Sequence, residues 1–354
     1  YSIRVFIPPP AIRRRVVPSR SYAVQSPGNL NMEVFNRKTK LLQKERAARD
    51  VETSRRVDYL RDEVASRLCE RLLDINRSYD HILDYGANAC NIARILTQPL
   101  PHPTPTDPDN TIIAAPRISK ITAAESSRNL LYRDQDLPFN SEIEIVREEL
   151  NTQEVLPYPQ NTFDAVLSSL SLHWTNDLPS VLAQINNILK PDAPFLGVML
   201  GGDSIYELRT SLQLADMDIR GGVSTHTSPL ADVRDVGGLL QSARFKLLTV
   251  DIDDIIIDYP TMTALVTDLQ AMGESNAVLA REPGPIQRDV LLAAEAIYKE
   301  LHGNDDGTLP ATFRLIYMIG WKEAANQAKP LERGTGMFSI KDYLEGSGKK
   351  AGDG

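Results

Sequence analysis

The strongest constraint on the fold is a strand–helix–strand succession in the middle of the chain. Residues 162–167 form a short, largely apolar run, which is typical of a strand covered on both faces. The amphipathic stretch 178–189 predicts a helix that ends at Lys190-Pro191-Asp192, and the apolar run 195–200 predicts the next strand. This order is that of a parallel sheet with connecting helices, so a doubly wound, Rossmann-like α/β fold is predicted.

The same alternation of strands and helices extends along most of the chain. Further strands are predicted at 81–86, 117–124, 143–146, 245–257 and 312–321. Helices are predicted at 57–72, 91–97, 208–215 and 232–242, with two more between 261 and 301. Five prolines within 98–111 exclude a helix or a central strand, so this segment is predicted to be a surface insertion.

Charge is distributed unevenly between the N-terminus and the rest of the chain. Residues 1–22 contain five arginines and no acidic residue, which predicts a mitochondrial presequence; a disordered basic tail is the alternative. The remainder carries the other 34 of the 39 basic side chains and all 47 acidic ones, which argues against nucleic-acid binding. No apolar run has the length of a membrane-spanning helix. Residues 326–354, rich in glycine and lysine, are predicted to be a flexible tail.

Several peptides carry a more specific resemblance than the strand–helix alternation does. They are "EVFNRKTKLLQKERAAR" (33–49), "DYLRDEVASRL" (58–68), "SSLSLHWTNDLP" (168–179), "GGDSIYELRTSLQLA" (201–215), "DLQAMGESNA" (268–277) and "PATFRLIYMIGWK" (310–322). Together they resemble the mitochondrial assembly factor 5 family of respiratory complex I.

The resemblance implies a fold and a domain plan. The fold is the α/β fold of class I S-adenosylmethionine-dependent methyltransferases: a seven-stranded, mostly parallel, Rossmann-like sheet with helices on both faces. The methyltransferase-like domain would span 33–325, with the proline-rich insertion at 98–111 and a helical elaboration at 203–305. The last strand would lie antiparallel beside the fifth.

The resemblance also implies a site for S-adenosylmethionine, at positions where this chain departs from the family pattern. The turn after the first strand keeps Gly86 but has Asn88 and Cys90 where two further glycines are usual; asparagine tolerates a positive φ. Glu125 would accept hydrogen bonds from the ribose, and Thr152 replaces the usual adenine-binding acid. The residues expected to contact the cofactor are Asp84, Gly86, Asn88, Glu125, Thr152 and Ser168. The alternative is a strand–turn–helix junction that needs Gly86 for packing alone.

Three side chains after the fourth and fifth strands are candidates for catalysis: His173, Asp203 and Glu207. Ligands of open α/β sheets bind outside the carboxyl ends of the strands, where a histidine can act as a base. The carboxylates could bind a guanidinium group. The structural alternatives are that His173-Trp174 caps the strand and that Asp203 is a helix N-cap. None of the five histidines has an acid two residues later, so no iron-binding facial triad is predicted, nor any other metal site.

Three functions are compatible with these residues. The resemblance implies an enzyme that hydroxylates an arginine of an iron–sulfur subunit of complex I during assembly. It would work in the mitochondrial matrix, peripheral to the inner membrane, with complex I subunits and assembly intermediates as partners. The fold alone implies methyl transfer from S-adenosylmethionine to a carboxylate or an amine. The departures in the cofactor site favour a non-catalytic assembly chaperone whose cofactor site has decayed.

Overall fold

The computed structural model describes residues 33–327, apart from 104–106, 108 and 283. The predicted presequence 1–22 and nearly all of the predicted tail 326–354 lie outside the described residues. Among the described helices, none is both long and apolar enough to span a bilayer.

A central sheet of seven strands organises the described chain. The described residues contain nine strands, seven in this sheet and two in a separate pair: β1 (Tyr79–Tyr85), β2 (Leu100–Pro101), β3 (Thr111–Ile112), β4 (Ile118–Glu125), β5 (Glu144–Glu149), β6 (Ala165–Ser169), β7 (Pro194–Leu200), β8 (Phe245–Tyr259) and β9 (Leu309–Lys322). The order in the main sheet is β5-β4-β1-β6-β7-β9-β8, and β2 pairs only with β3. The first five of these strands are parallel, and β9 lies antiparallel between β7 and β8. The predicted fold and the antiparallel last strand are therefore confirmed.

Helices cover both faces of this sheet. They are α1 (Arg37–Ala47), α2 (Val51–Arg56), α3 (Tyr59–Leu73), α4 (Asn91–Leu96), α5 (Arg128–Leu131), α6 (Leu178–Ile188), α7 (Tyr206–Arg220), α8 (Val233–Ser242), α9 (Met262–Ala271) and α10 (Arg288–His302). One apolar core contains Val64 and Leu68 of α3 together with Tyr298 of α10. A second core contains Leu182 and Ile185 of α6. Each core is the apolar face of amphipathic helices buried against the sheet, which is the main stabilising contribution in such folds.

Several boundaries differ from the sequence-based prediction by a few residues, and two of these differences have a clear structural reason. The predicted helix 57–72 begins only at Tyr59, because a short helix, α2, ends just before it. The fourth strand begins at Ala165 rather than 162, since Phe163 forms an isolated bridge with Leu189 at the end of α6. The segment just before this strand therefore contains a residue whose apolar character is typical of a strand.

A buried ion cluster joins the N-terminal helices to the segment after α5. Arg133 is 6% exposed and pairs with Asp134 at 2.6 Å and with Asp58, while its guanidinium also donates to Ser54 Oγ at 2.8 Å. Asp58 is further paired with Arg61 at 3.3 Å. A buried charge is tolerated only when it is paired and hydrogen-bonded, so this cluster holds α2 and α3 at a fixed position beside the carboxyl ends of β1 and β4.

Replacing Arg133 by methionine is expected to destabilise the protein strongly, because it leaves two buried carboxylates without their shared cation. The expected loss in the free energy of unfolding is about 3 kcal/mol, measured by urea denaturation. Arg128→Met is the matched control: its side chain is 72% exposed, and its loss should stay below about 1 kcal/mol. Equal losses in the two variants would contradict a structural role for the cluster.

Candidate functional site

The turn after β1 adopts the strained conformation that the sequence suggests. Gly86, Asn88 and Cys90 all have positive φ, at 70°, 50° and 60°. A Cβ atom on Gly86 would lie 2.0 Å from Ser171 Oγ, so both the φ and the close approach require glycine there. Asparagine at position 88 takes the left-handed conformation that the usual glycine would take, so the turn keeps its shape.

Buried polar atoms without partners cluster around this turn. Within the described residues, both carboxyl oxygens of Asp84, Oδ1 of Asn88 and the hydroxyls of Ser168, Ser169 and Ser171 make no hydrogen bond. Burial, with a smaller contribution from the charge of Glu125, raises the pKa of Asp84 to about 8. Unsatisfied buried groups of this kind are costly, which is expected where a polar ligand completes the hydrogen bonding.

Glu125, the predicted ribose-binding acid, is fully buried at the end of β4 and is already paired. Lys44 of α1 donates to its two oxygens at 3.0 and 3.2 Å, and Gln153 Nε2 donates to Oε1 at 3.0 Å. The backbone amides of Ser126 and Ser127 add bonds of 2.8 and 3.1 Å. Burial alone would raise the pKa of Glu125, but the Lys44 ammonium and these donors lower it overall. The carboxylate is therefore charged at neutral pH.

Thr152 lies beside this arrangement rather than in it. Its hydroxyl accepts a 3.3 Å hydrogen bond from the amide of Glu154, and the next residue, Gln153, is the one that reaches Glu125. The expected contact of Thr152 with an adenine stays a prediction.

A second buried carboxylate, Glu274, lies on the segment after α9 and contacts His173 and Trp174. Trp174 Nε1 donates to Glu274 Oε2 at 2.6 Å, and His173 Nε2 lies 3.5 Å from the same oxygen. Lys40 of α1 and Arg61 of α3 lie 4.0 and 3.5 Å from the carboxylate. Burial opposes ionisation of Glu274, but these cations, Lys40 foremost, hold its pKa well below the usual range.

His173 is buried in surroundings that favour its neutral form. Burial lowers the pKa of His173, although Glu274 opposes this shift. Its Nε2 faces Glu274 and its buried Nδ1 has no hydrogen-bond partner. A neutral ring whose Nε2–H is directed at the carboxylate leaves Nδ1 free to accept a proton.

A cavity of about 860 Å³ opens beside these groups at the carboxyl ends of β6 and β7. His173, Trp174 and Glu274 line it on one side, and Thr39 and Gln43 of α1 line it on another. The cavity is large enough for an extended side chain and lies where open α/β sheets bind their ligands.

Asp203 and Glu207, the other two predicted catalytic residues, do not line the cavity beside His173. Asp203 is exposed and pairs with Arg314 of β9, and neither carboxylate is among the residues lining the cavity. Glu207 is buried and accepts from the hydroxyl of Thr312 at 2.5 Å and from its amide at 3.3 Å. The suggestion that Asp203 caps α7 is wrong, because the N-cap is Ile205, with φ of 47°.

Four side chains that make most of the contacts here were not predicted from the sequence: Lys40, Lys44, Gln153 and Glu274. Lys40 and Lys44 are four residues apart and lie on the same face of α1, and both are buried. The one feature of the sequence that pointed to them is their location: Lys40, Lys44 and Glu274 lie in the peptides 33–49 and 268–277, which carry the family resemblance. Within the described residues, no group of three or more His, Cys, Asp or Glu side chains is arranged to hold a metal ion.

The raised pKa of Asp84 gives a pH dependence that can be tested. Between about pH 4 and 8 the folded protein keeps a proton that the unfolded chain has released, so the stability contribution of Asp84 is lost as pH rises towards 8. Asp84→Asn should weaken the decline in unfolding free energy over that interval, by up to about 1.4 kcal/mol per pH unit. Asp80→Asn, at an exposed position of the same strand, is the control in urea titrations. Parallel pH profiles for wild type and Asp84→Asn would rule out the raised pKa.

Comparison with known proteins places these features in a family. The model of the family described as "Methyltransferase domain" matches residues 109–196. A curated relative from Danio rerio, "Arginine-hydroxylase NDUFAF5, mitochondrial", is 44% identical over 88% of this chain and 89% of its own length. A "Malonyl-[acyl-carrier protein] O-methyltransferase" from Laribacter hongkongensis is 30% identical over 81% of this chain and 91% of its own.

Among solved structures, the YcgJ protein from Bacillus subtilis aligns with a TM-score of 0.49 at 13% identity, covering 73% of this chain and 98% of that one. The extent and level of identity to the Danio rerio protein identify the family directly. The chain belongs to the family of mitochondrial arginine hydroxylases named NDUFAF5.

Proposed function

We propose that this protein hydroxylates an arginine side chain of an iron–sulfur subunit of complex I during assembly of the complex in the mitochondrial matrix. The observation that carries the proposal is the 44% identity to an arginine hydroxylase over 88% of the chain. Its location at the matrix face of the inner membrane belongs to the same proposal.

The geometry of the cavity supports an arginine substrate. A guanidinium group binds best to a carboxylate and to the face of an aromatic ring. Glu274 and Trp174 supply these two groups at one wall of the cavity, and Glu274 is held in its charged form. His173 lies beside them with an unpartnered Nδ1, which makes it the candidate base.

We also propose that the turn after β1 binds S-adenosylmethionine. The buried atoms of Asp84, Asn88 and Ser168 that lack partners fit the polar methionyl end of such a molecule. Glu125 fits the ribose hydroxyls, provided that the Lys44 ammonium moves away from its oxygens. The chemistry that this cofactor supplies when bound is an activated methyl group on a sulfonium.

Two other functions have an observation in their favour. Methyl transfer to a carboxylate or an amine is favoured by the 30% identity to a malonyl-[acyl-carrier protein] O-methyltransferase over 81% of the chain. A non-catalytic assembly role is favoured by the Lys44–Glu125 pair, because the lysine already engages the carboxylate expected to bind the ribose. The arginine hydroxylase proposal takes precedence because the relative that carries it is more similar and is matched over more of the chain.

Peptide mass spectrometry of the iron–sulfur subunits of complex I, from cells with and without this protein, tests the reaction. We expect one arginine to carry the mass of one added oxygen only when the protein is present. A mass increase of one methylene would instead establish methyl transfer. Complex I that fails to assemble without any change in modification would contradict both enzymatic functions.

Binding of S-adenosylmethionine to the purified full-length chain is expected to raise its melting temperature. At a ligand concentration of about one hundred times Kd the gain corresponds to about 2.7 kcal/mol. Lys44→Met should show a larger shift than wild type, because the ribose no longer competes with the lysine for Glu125. Lys38→Met, on the exposed side of the same helix, is the control and should behave as wild type. No shift in any of the three proteins would exclude the cofactor.

A further inference from the structure

The ammonium group of Lys40 lies inside a cage built from four groups. It lies 3.1 Å from the centroid of the Trp174 ring and donates to the carbonyl oxygens of Gly273 and Ser275 at 2.9 and 3.1 Å. The carboxylate of Glu274 is 4.0 Å away. These four groups, the Trp174 ring, the Glu274 carboxylate and the carbonyls of Gly273 and Ser275, are here called the cation cage. An aromatic face, a carboxylate and two carbonyls are all partners for a positive charge.

The cage keeps its shape through contacts that do not involve Lys40. The indole N–H of Trp174 bonds to Glu274, and Phe35 packs edge-on against the Trp174 ring with centroids 5.2 Å apart. Arg61 lies 3.5 Å from the other oxygen of Glu274 and also donates to the carbonyl of Met272. Trp174 and Arg61 therefore orient the Glu274 carboxylate, and Arg61 balances part of its charge, independently of the cation that occupies the cage.

The cage opens towards the cavity. Trp174, Glu274 and Ser275 are members of the cage and also line the cavity of about 860 Å³. Lys40 enters the cage from α1, the helix that forms another wall of the same cavity. A cationic side chain that enters the cavity therefore meets three of the residues that form the cage.

Lys40 is a weak occupant of this position. Burial lowers the pKa of Lys40 to about 7, with Glu274 opposing the shift. Near neutral pH the lysine is therefore partly uncharged, whereas a guanidinium group stays fully charged. The start of α1 is held independently, since Asn176 Oδ1 accepts from the amides of Val34 and Phe35 at 2.9 and 2.8 Å. Only the flexible lysine side chain has to move for the cage to be vacated.

We propose that the cation cage is the binding site for the guanidinium group of the substrate arginine, and that Lys40 occupies it as an internal stand-in which the arginine displaces. This inference rests on the proposed arginine substrate. It assigns Trp174 and Glu274 to substrate recognition and gives Lys40 an autoinhibitory contact.

Peptide binding to the full-length chain tests the proposal without requiring turnover. The probe is a short blocked peptide with one central arginine, and the matched peptide has citrulline, which is nearly isosteric but uncharged. Binding is measured by calorimetry and by the change in tryptophan fluorescence. Lys40→Met is expected to bind the arginine peptide at least about tenfold more tightly than wild type, because the internal competitor is gone. Lys38→Met should bind as wild type does.

Glu274→Gln supplies the opposite change, since it keeps the shape of the side chain and removes its charge. It should weaken binding of the arginine peptide at least about tenfold, while the citrulline peptide binds weakly to every variant. Lys40→Gln is a second variant with a neutral, polar side chain and is expected to reproduce the gain of Lys40→Met. Arginine affinity unchanged in both Lys40 variants, or equal affinity for arginine and citrulline, would overturn the proposal.

The outcome is separable from that of the proposed reaction. An added oxygen on arginine in cells, without any gain for the Lys40 variants, would leave the hydroxylase in place and refute the cage as its binding site. Tighter binding in the Lys40 variants, without any modified arginine in cells, would support the cage and refute the hydroxylase.

Discussion

Two buried lysine–carboxylate interactions connect helix α1 to the functional site. Lys44 pairs with Glu125 at 3.0 Å, and Lys40 lies 4.0 Å from Glu274, both from one face of α1. Helix α1 packs against the rest of the domain through charged side chains. Its buried residues are these two lysines, whereas Leu42 is 52% exposed. Buried ammonium groups need partners, so each of the two lysine side chains is held by its carboxylate, while Asn176 separately anchors the residues just before α1. Gly273 makes the approach possible: its φ is 76°, and a Cβ there would lie 3.3 Å from Lys44 Cα.

The same two carboxylates lie where the two ligands are proposed to bind. Glu125 ends β4 beside the turn that holds Gly86, and Glu274 faces the cavity next to His173. A ligand at either place competes with a lysine of α1 for a charged partner. In this proposal, binding of the cofactor and binding of the arginine each remove one lysine contact of the same helix. In the proposed arrangement, each carboxylate stays ionised and paired with its lysine until a ligand of the right chemistry replaces the lysine.

Much of the fold could be predicted from the sequence because its determinants are local. The apolar runs that became β6 and β7, with the amphipathic helix between them, are typical of a buried parallel sheet with a connecting helix. The positive φ at Asn88 could be anticipated for a similar reason, since few residues tolerate it. The start of β6 was misplaced because Phe163 is as apolar as the strand it precedes.

The site was harder to predict because its contacts are distant in sequence. Lys44 and Glu125 are 81 residues apart, and Lys40 donates to a carbonyl 233 residues away. A polar, basic helix without an apolar stripe gives no local indication that its lysines point inward. Asp203 and Glu207 follow a strand end, where ligands usually bind, but β9 lies beside that strand and its Arg314 and Thr312 engage them. Neighbours supplied by a distant strand are not visible in a local pattern.

The most direct test of this account is a crystal structure of the full-length chain with the arginine peptide bound. The account predicts the guanidinium stacked on the Trp174 ring and hydrogen-bonded to Glu274, with the Lys40 ammonium displaced from both. A structure in which the peptide arginine lies elsewhere, while Lys40 keeps its contacts with Trp174, Gly273 and Ser275, would contradict it.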